Sequence, residues 1–147
     1  MVDLQDVEQI ASEDHHLAVV STTRSDGSVQ SSVVNAGVIP HPVSGLPVIG
    51  FVTYGKAKLA NLRRRPRATV VFRAGWRWAA VEGSCDLIGP DDPSPRLQSP
   101  DLPSLLRDVF RAAGGTHSDW DDYDRVMREE RRAAVFVHPD RIYSNRS

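Results

Sequence analysis

Short β-prone runs that end at turn residues follow one another through the first half of this 147-residue sequence. The runs over 16–23 and 29–39 are separated by Asp26-Gly27. Asp-Gly between two such runs is typical of a β-hairpin, because glycine tolerates the positive φ that these turns require. Pro40 ends the second run, because proline has no amide hydrogen for a strand ladder. The pattern therefore predicts a sheet built from consecutive antiparallel hairpins.

The rest of the chain predicts more strands, with helices at only a few points. Strands are expected over 48–53, 67–73, 76–88 and a final pair near 132–144, and helices over about 5–13, 56–65, 101–113 and 119–130. Gly83 marks a bulge or a close backbone approach, and Ser118 is the expected N-cap of the last helix. This order does not have the regular strand–helix alternation of a doubly wound sheet. The predicted fold class is mainly β with inserted helices, an antiparallel barrel in a single domain over residues 1–147.

Composition and charge argue against several classes of protein. Lys+Arg 18 against Asp+Glu 19 gives a formal charge of -1, so the whole chain gives no reason to expect binding to nucleic acid or to a membrane surface. Cys85 is the only cysteine, so no internal disulfide is possible, which suits a reducing compartment. The acidic N-terminus does not resemble a signal peptide, and the apolar runs are too short for a membrane span. We expect a cytoplasmic protein.

The segment over 53–67 concentrates positive charge where a strand gives way to a helix. It holds six of the chain's 18 basic residues, namely Lys56, Lys58, Arg63, Arg64, Arg65 and Arg67. Lys56 and Lys58 lie beside the predicted helix N-terminus, where free N–H groups and the helix dipole stabilise an anion. Two ammonium groups at that point predict a clamp for a phosphate. The three consecutive arginines lie further along the helix, where a solvated face is the simpler interpretation.

The residues from Gly55 to Ala68 resemble the phosphate-binding signature of the pyridoxamine 5′-phosphate oxidase-like split β-barrels. Upstream, the segment over 17–27 resembles the first hairpin of that family, and downstream the segment over 75–83 resembles its central strand. His117 to Tyr123, with Arg131-Arg132 after it, is similar to a narrower branch of small actinobacterial proteins that bind the deazaflavin coenzyme F420. The resemblance covers nearly the whole chain.

This resemblance implies an FMN-binding-like split barrel that forms homodimers, with a cofactor site at the interface between the two subunits. Lys56 and Lys58 would hold the cofactor phosphate, and Thr53 and Asn61 would support the same turn. Many relatives carry arginine at the position of Lys56, so a point charge here replaces a bidentate fork.

The cofactor ring has four further candidate contacts. By the same resemblance, Ser32 and Asn35 on the second strand would line the ring and its ribityl chain. Trp76 and Trp78 are two residues apart and therefore share one face of a predicted strand, either against the ring or in the core or dimer interface. Trp120 is expected to anchor its acidic helix against the body of the protein.

The resemblance implies an F420-dependent oxidoreductase that transfers a hydride between the deazaflavin and an unsaturated small molecule. No side chain stands out as an obligatory acid or base, so no catalytic residue is predicted, and water, Ser32 or Asn35 would supply the proton. The branch resemblance favours F420 over FMN. The arginines after Lys58 also offer counter-charges for a glutamate tail, which FMN lacks.

Three alternatives stay open: an FMN-dependent flavoprotein, a non-catalytic protein that binds F420 or flavin, and a nucleic-acid-binding protein that uses the basic segment. The formal charge of -1 counts against the last of these. The five histidines show no metal-ligand spacing, so no metal site is predicted. The sequence also has no motif of the hydrolases, P-loop proteins or Rossmann domains.

Overall fold

The computed structural model describes residues 1–92 and 101–145. Within these ranges the chain forms seven strands and four helices. In chain order they are α1 (Leu4–Glu13), β1 (Leu17–Thr23), β2 (Val29–Pro40), β3 (Pro47–Thr53), α2 (Lys56–Arg64), β4 (Arg67–Ala74), β5 (Arg77–Ile88), α3 (Leu102–Ala112), α4 (Trp120–Glu129), β6 (Ala133–Val137) and β7 (Arg141–Ser144). None of these helices is long and apolar enough to cross a membrane. The single-domain prediction also includes residues outside the described ranges and stays a prediction.

The strands form an antiparallel barrel. Their order is β4-β1-β2-β3-β6-β5, and β4 also pairs with β5, which closes the barrel, while β7 pairs with the other edge of β5. The two longest strands change partner half-way along. Strand β2 pairs with β1 up to Asn35 and with β3 from Ala36, and β5 pairs with β4 up to Ser84 and with β6 from Cys85. This arrangement confirms the predicted mainly β fold with inserted helices.

Alternating side chains fill the barrel. Strand β1 buries Ala18, Val20 and Thr22 and leaves Leu17 and Val19 on the outer face, as a half-buried strand does. A second apolar cluster lies outside the barrel, where α3 packs against β2, β3 and β6 and α4 packs against α3. Strand β6 is buried at all five positions, because one face meets the barrel interior and the other faces the helices. The helices α3 and α4 thus form a second layer over one side of the barrel.

Local structure departs from the sequence prediction at Ser118 and Trp76, and at Gly83 it confirms the second of the two predicted alternatives. The N-cap of α4 is Asp119, not Ser118, and the Asp119 side chain accepts a hydrogen bond from the amide of Asp122 at 3.2 Å. Trp76 precedes β5 and lies in the β4–β5 turn beside Gly75, so it does not share a strand face with Trp78. Gly83 is in regular register with Ala68 and is therefore not a bulge. It is instead a close-approach site, where an added Cβ would lie 1.8 Å from the His138 carbonyl oxygen.

Gly37 holds the helical layer close to the barrel. An added Cβ at Gly37 would lie 2.0 Å from the carbonyl oxygen of Ala112, at the C-terminal end of α3. Backbone cannot move aside as a flexible side chain does, so α3 can pack on β2 at this distance only over glycine. Nearby, the His16 ring occupies the space that a Cβ on Gly114 would need. These contacts fix where the C-terminal end of α3 lies on the sheet.

Gly37→Ala should therefore lower the free energy of unfolding by at least about 2 kcal/mol, because the new methyl group must push α3 off β2. Urea denaturation of the variant beside the unchanged protein measures this loss. Gly27→Ala is the matched control, since no described residue beyond its two chain neighbours has an atom within 4 Å of the added Cβ, and only the left-handed backbone (φ 88°) resists it. The control should lose only about 1 kcal/mol. Equal losses in the two variants would contradict the proposed close contact.

Candidate functional site

A cavity of about 480 Å³ lies between the junction of β2 with β3 and the helical layer. This volume lies in the usual range for small-molecule sites. Its apolar walls come from Val33, Val34, Val52, Val109, Phe110, Ala113, Tyr123 and Met127, and its polar lining from Asn35, Thr53, Tyr54, Gly55, Lys58 and Arg132. The cavity therefore contains three of the eight predicted cofactor-binding residues, namely Asn35, Thr53 and Lys58.

Lys58 is the unusual residue of this cavity. Its side chain is only 8% exposed, and its Nζ donates a hydrogen bond to Oγ1 of Thr53 at 3.2 Å. Within the described ranges, no carboxylate lies close enough to form an ion pair with it, although a buried ammonium normally has such a partner. Burial without a counter-charge lowers the pKa of Lys58 from its ordinary value. An anion in the cavity would supply the missing partner.

The start of α2 provides backbone donors at the same point. Gly55 is the N-cap and makes no side-chain capping bond, and the first turn contains no acidic residue. The amide of Gly55 donates to Oγ1 of Thr53 at 3.3 Å, so this hydroxyl oxygen connects the end of β3 to both Gly55 and Lys58. Free N–H groups at an uncapped helix N-terminus favour an anion. The backbone N–H groups at the start of α2 and the Lys58 ammonium therefore both favour an anion at this point.

Arg132 adds a second positive charge to the cavity lining. Its guanidinium lies 4.2 Å from the ring centroid of Tyr54 and forms an ion pair with Glu130 at 2.6 Å. None of the described residues that line the cavity is an aspartate or a glutamate. The cavity thus combines apolar walls with two cations, which suits a flat ligand that carries negative charge.

Asn35 has a fixed orientation at the cavity edge. Its Nδ2 donates to the carbonyl oxygen of His15 at 2.9 Å, and its Oδ1 has no hydrogen-bond partner among the described residues. The carbonyl is held there by an unusual turn, because His15 and His16 both have left-handed backbone with φ of 58° and 56°. Asn35 therefore offers a hydrogen-bond acceptor to a ligand, while its donor is already engaged.

The other predicted residues lie outside this cavity in a single chain. Lys56 is exposed on the first turn of α2, and Asn61 is buried, where it donates to Thr22 and Gln30. Ser32 lies opposite Val20 of the barrel core, on the other face of β2 from Asn35. Trp78 borders a second cavity beside α1, and Trp76 is 93% exposed. Their roles in cofactor binding stay predictions.

The aromatic and basic residues of the helices have structural partners. Trp120 packs edge-to-face against Phe110 and Tyr123 within the helical layer and lies under the guanidinium of Arg111, which agrees with the predicted anchoring role. Arg63 forms an ion pair with Asp92 at 2.6 Å. Arg64 donates to the Thr23 carbonyl oxygen at 2.9 Å.

The fold also assembles a histidine cluster that sequence spacing does not reveal. Nε2 of His41 and Nε2 of His138 each lie 2.8 Å from Oδ2 of Asp86. Three such ligand atoms could meet a metal ion. However, Nδ1 of His41 accepts hydrogen bonds from the amides of Val43 and Ser44, so a neutral ring carries its proton on Nε2. A metal-bound histidine instead donates from its second nitrogen, so the cluster is better explained as a hydrogen-bonded link between β5, which carries Asp86, and the turns that carry His41 and His138.

Asp86 should therefore contribute to stability in a pH-dependent way. Burial opposes its ionisation, but hydrogen bonds from His138 and His41 outweigh burial and lower the pKa of this carboxyl below its ordinary value. A lowered carboxyl pKa stabilises the fold above the ordinary value of 3.8, and the contribution disappears as the pH falls through the lowered pKa. Urea midpoints across this acid range should fall less steeply for Asp86→Asn than for the unchanged protein. Parallel pH profiles would contradict the prediction.

Comparison with known proteins supports the fold assignment. No protein-family model matches the sequence. Among solved structures, the conserved hypothetical protein Rv2991 from Mycobacterium tuberculosis superposes with a TM-score of 0.67 at 18% identity, over 98% of this chain and 84% of that one. A pyridoxamine 5′-phosphate oxidase-related, FMN-binding protein from Nostoc punctiforme gives a TM-score of 0.64 at 12% identity, over 95% of this chain and 81% of that one.

A protein described as an F420 reductase gives a TM-score of 0.58 at 16% identity, over 89% of this chain and 91% of that one. Identities this low speak to fold alone. The partner change along β2 and β5, the closed barrel and these superpositions agree with one another. The chain has the same split-barrel fold as these solved structures.

Proposed function

We propose that this protein is a homodimeric, cytoplasmic oxidoreductase that binds coenzyme F420 and transfers a hydride to or from an unsaturated small molecule. The observation that carries the proposal is the unpaired, buried Lys58 at an uncapped helix N-terminus, inside a cavity whose described lining has no acidic side chain. This arrangement suits the phosphate of a flavin-type cofactor. The fold is shared with an F420 reductase and an FMN-binding protein, and it supports a cofactor of this type.

The polar and the apolar residues of the cavity have different roles in this proposal. Lys58 and the start of α2 hold the phosphate, and Oδ1 of Asn35 accepts a hydrogen bond from the cofactor. The valines of β2 and β3 and the side chains of Phe110 and Met127 pack against the ring and exclude water from it. When bound, the cofactor supplies the hydride chemistry. Because the Asn35 donor is engaged by His15 and Ser32 lies on the opposite face of β2, water supplies the proton.

F420 is preferred to FMN for two reasons. The sequence from His117 to Tyr123 resembles the F420-binding branch. Arg132 also gives the cavity a second cation for a cofactor with more negative charge than FMN. FMN-dependent chemistry is the alternative, and the FMN-binding protein of the same fold is the observation in its favour.

The proposed dimer uses an apolar row on the outer face of the barrel. Cross-strand pairs place Val33, Val19, Val71, Ala80 and Tyr143 side by side across five adjacent strands. Val33, Val19 and Tyr143 are exposed (65%, 40% and 38%), whereas Val71 is partly buried and Ala80 is buried. Exposed apolar side chains on one sheet face favour a contact with a second copy. Val33 also lines the cavity, so a dimer formed here would place the cofactor at the interface.

Native mass spectrometry of the protein titrated with F420 and with FMN tests the cofactor assignment. We expect a dimer that retains one F420 per subunit and binds FMN more weakly. Exclusive retention of FMN would replace F420 by the alternative, and retention of neither would overturn the proposal. Stopped-flow absorbance with reduced F420 and a panel of quinones and enones then separates an oxidoreductase from a non-catalytic binding protein, which would bind tightly without oxidising its cofactor.

A further inference from the structure

Lysine is rare in this chain, and the structure gives its two lysines different surroundings. Lys56 and Lys58 are the only lysines among 18 basic residues, and the others are arginines. A guanidinium stays protonated and is a poor nucleophile, whereas a buried lysine amine loses its proton readily and attacks carbonyl groups. Lys56 is exposed, but Lys58 is buried in the cavity wall. The chain therefore carries one amine that is suited to covalent chemistry, together with an exposed reference amine two residues away.

When the cavity holds no anion, the surroundings of Lys58 shift its protonation equilibrium toward the neutral amine. Among the described residues, the Lys58 side chain forms a hydrogen bond only with Oγ1 of Thr53, and no carboxylate lies close enough to stabilise its positive charge. Nζ lies 5.8 Å from the centroid of the Phe51 ring, at the outer limit of a cation–π contact, which is too long to replace a counter-charge. Burial accordingly lowers the pKa of Lys58, so more of the amine is deprotonated than at an exposed lysine.

We propose that the ε-amine of Lys58 captures small anionic aldehydes as a reversible imine, with Arg132 as the counter-charge for the anion. The lone pair of the neutral amine attacks the carbonyl carbon, a carbinolamine forms, and loss of one water gives the C=N bond. The Arg132 guanidinium lines the same cavity, and its position is fixed by the Tyr54 ring and Glu130. The ligand class is thus an aldehyde that carries a carboxylate or phosphate.

This inference rests on the anion-binding cavity of the proposed function, but not on its redox chemistry. Cofactor and aldehyde compete for the same amine, because a bound phosphate holds Lys58 protonated and blocks its lone pair. A loaded cofactor should therefore protect Lys58 from modification. If bound cofactor slows the modification of Lys58, both proposals concern the same amine. Because cofactor binding and Lys58 modification are measured separately, either proposal can fail while the other stands.

Reductive amination of the full chain with glyoxylate and cyanoborohydride tests the proposal at about neutral pH. The reductant traps each imine as a stable carboxymethyl group, and tandem mass spectrometry assigns it to Lys56, Lys58 or the N-terminal amine. We expect Lys58 to be modified about tenfold faster than Lys56, because burial without a counter-charge leaves more of its amine in the reactive neutral form. Propionaldehyde, which carries no charge, should show a smaller preference, and Arg132→Gln should reduce the glyoxylate preference to the same level.

Lys56 serves as an internal control in every reaction, so the test does not depend on the folding of any variant. Modification of Lys56 as fast as or faster than Lys58 overturns the inference, and so does an unchanged glyoxylate preference in Arg132→Gln. Fast modification of Lys58 that neither F420 nor FMN prevents would leave the inference standing and contradict the proposed cofactor site. Cofactor binding together with an unreactive Lys58 would overturn the inference and leave the proposed cofactor site standing.

Discussion

Lys58→Met should weaken cofactor binding about 10- to 100-fold and should also make the cofactor-free protein more stable. The first effect follows because a charged hydrogen bond to a phosphate contributes about 1.5–3 kcal/mol. The second effect has the opposite sign because the buried ammonium of Lys58 has no described carboxylate partner, so removing its charge relieves a desolvation cost. Isothermal titration with F420 measures the binding loss, and urea denaturation without cofactor measures the gain in stability.

The same prediction has a pH dependence with a definite sign. Burial lowers the pKa of Lys58 in the folded, cofactor-free protein, so below its ordinary value of 10.5 the unfolded chain binds more protons at this group than the folded chain. The free energy of unfolding should therefore rise with pH as the folded amine deprotonates. Cofactor affinity should fall over the same range, since the phosphate binds the protonated form. Neither trend should persist in Lys58→Met.

Lys56→Met is the matched control for this experiment. Lys56 occupies the same turn of α2, but its side chain is exposed, so its charge is screened by water. We expect at most a few-fold loss of cofactor affinity and no gain in stability. A larger loss of affinity in Lys56→Met than in Lys58→Met would move the phosphate from the cavity to the outer side of the helix.

The barrel and the position of Lys58 at a helix N-terminus could be predicted from patterns in the sequence. Strand alternation, Asp26-Gly27 and Pro40 are signals within short stretches of sequence. Asp26-Gly27 correctly predicted the turn between β1 and β2, and Pro40 the end of β2 before β3. The strand-to-helix junction at Gly55 is equally local, so it indicated where backbone N–H groups are free. Strand periodicity could also have separated Ser32 from Asn35, because residues three apart on a strand face opposite sides. The family resemblance placed both residues near the ring, and the structure brings only Asn35 to the cavity.

The far wall of the cavity was not predictable in the same way. Phe110, Tyr123 and Arg132 reach the site because α3 packs over Gly37, and this contact joins residues that are remote in the chain. The amphipathic pattern of α3 shows that one face is buried, but not which sheet face receives it. The histidine cluster is similar, since Asp86 lies 45 residues from His41 and 52 from His138. All of these contacts depend on packing between residues that are remote in the chain. Such packing leaves no local pattern in a single sequence.

Val19→Glu should convert the proposed dimer to a monomer and weaken cofactor binding, although Val19 does not line the cavity. Val19 lies inside the apolar row, between Val33 on β2 and Val71 on β4. A two-fold dimer carries the substitution twice, and burying each unpaired carboxylate costs about 2 kcal/mol or more, so the dimer dissociation constant should rise about a thousandfold. Sedimentation velocity measures the loss of the dimer, and fluorescence titration with F420 measures the loss of affinity.

Val43→Glu provides a control with the same chemical change and nearly the same exposure. Val43 is 43% exposed and Val19 is 40% exposed, but Val43 lies in the β2–β3 turn, away from the apolar row. The control should stay dimeric with full cofactor affinity. If Val19→Glu becomes monomeric yet binds F420 as tightly as the unchanged protein, each subunit holds its cofactor alone. If both variants stay dimeric, the subunits associate through another face. The exposed Val33 at the cavity edge would then border the opening through which the ligand enters, and not the interface.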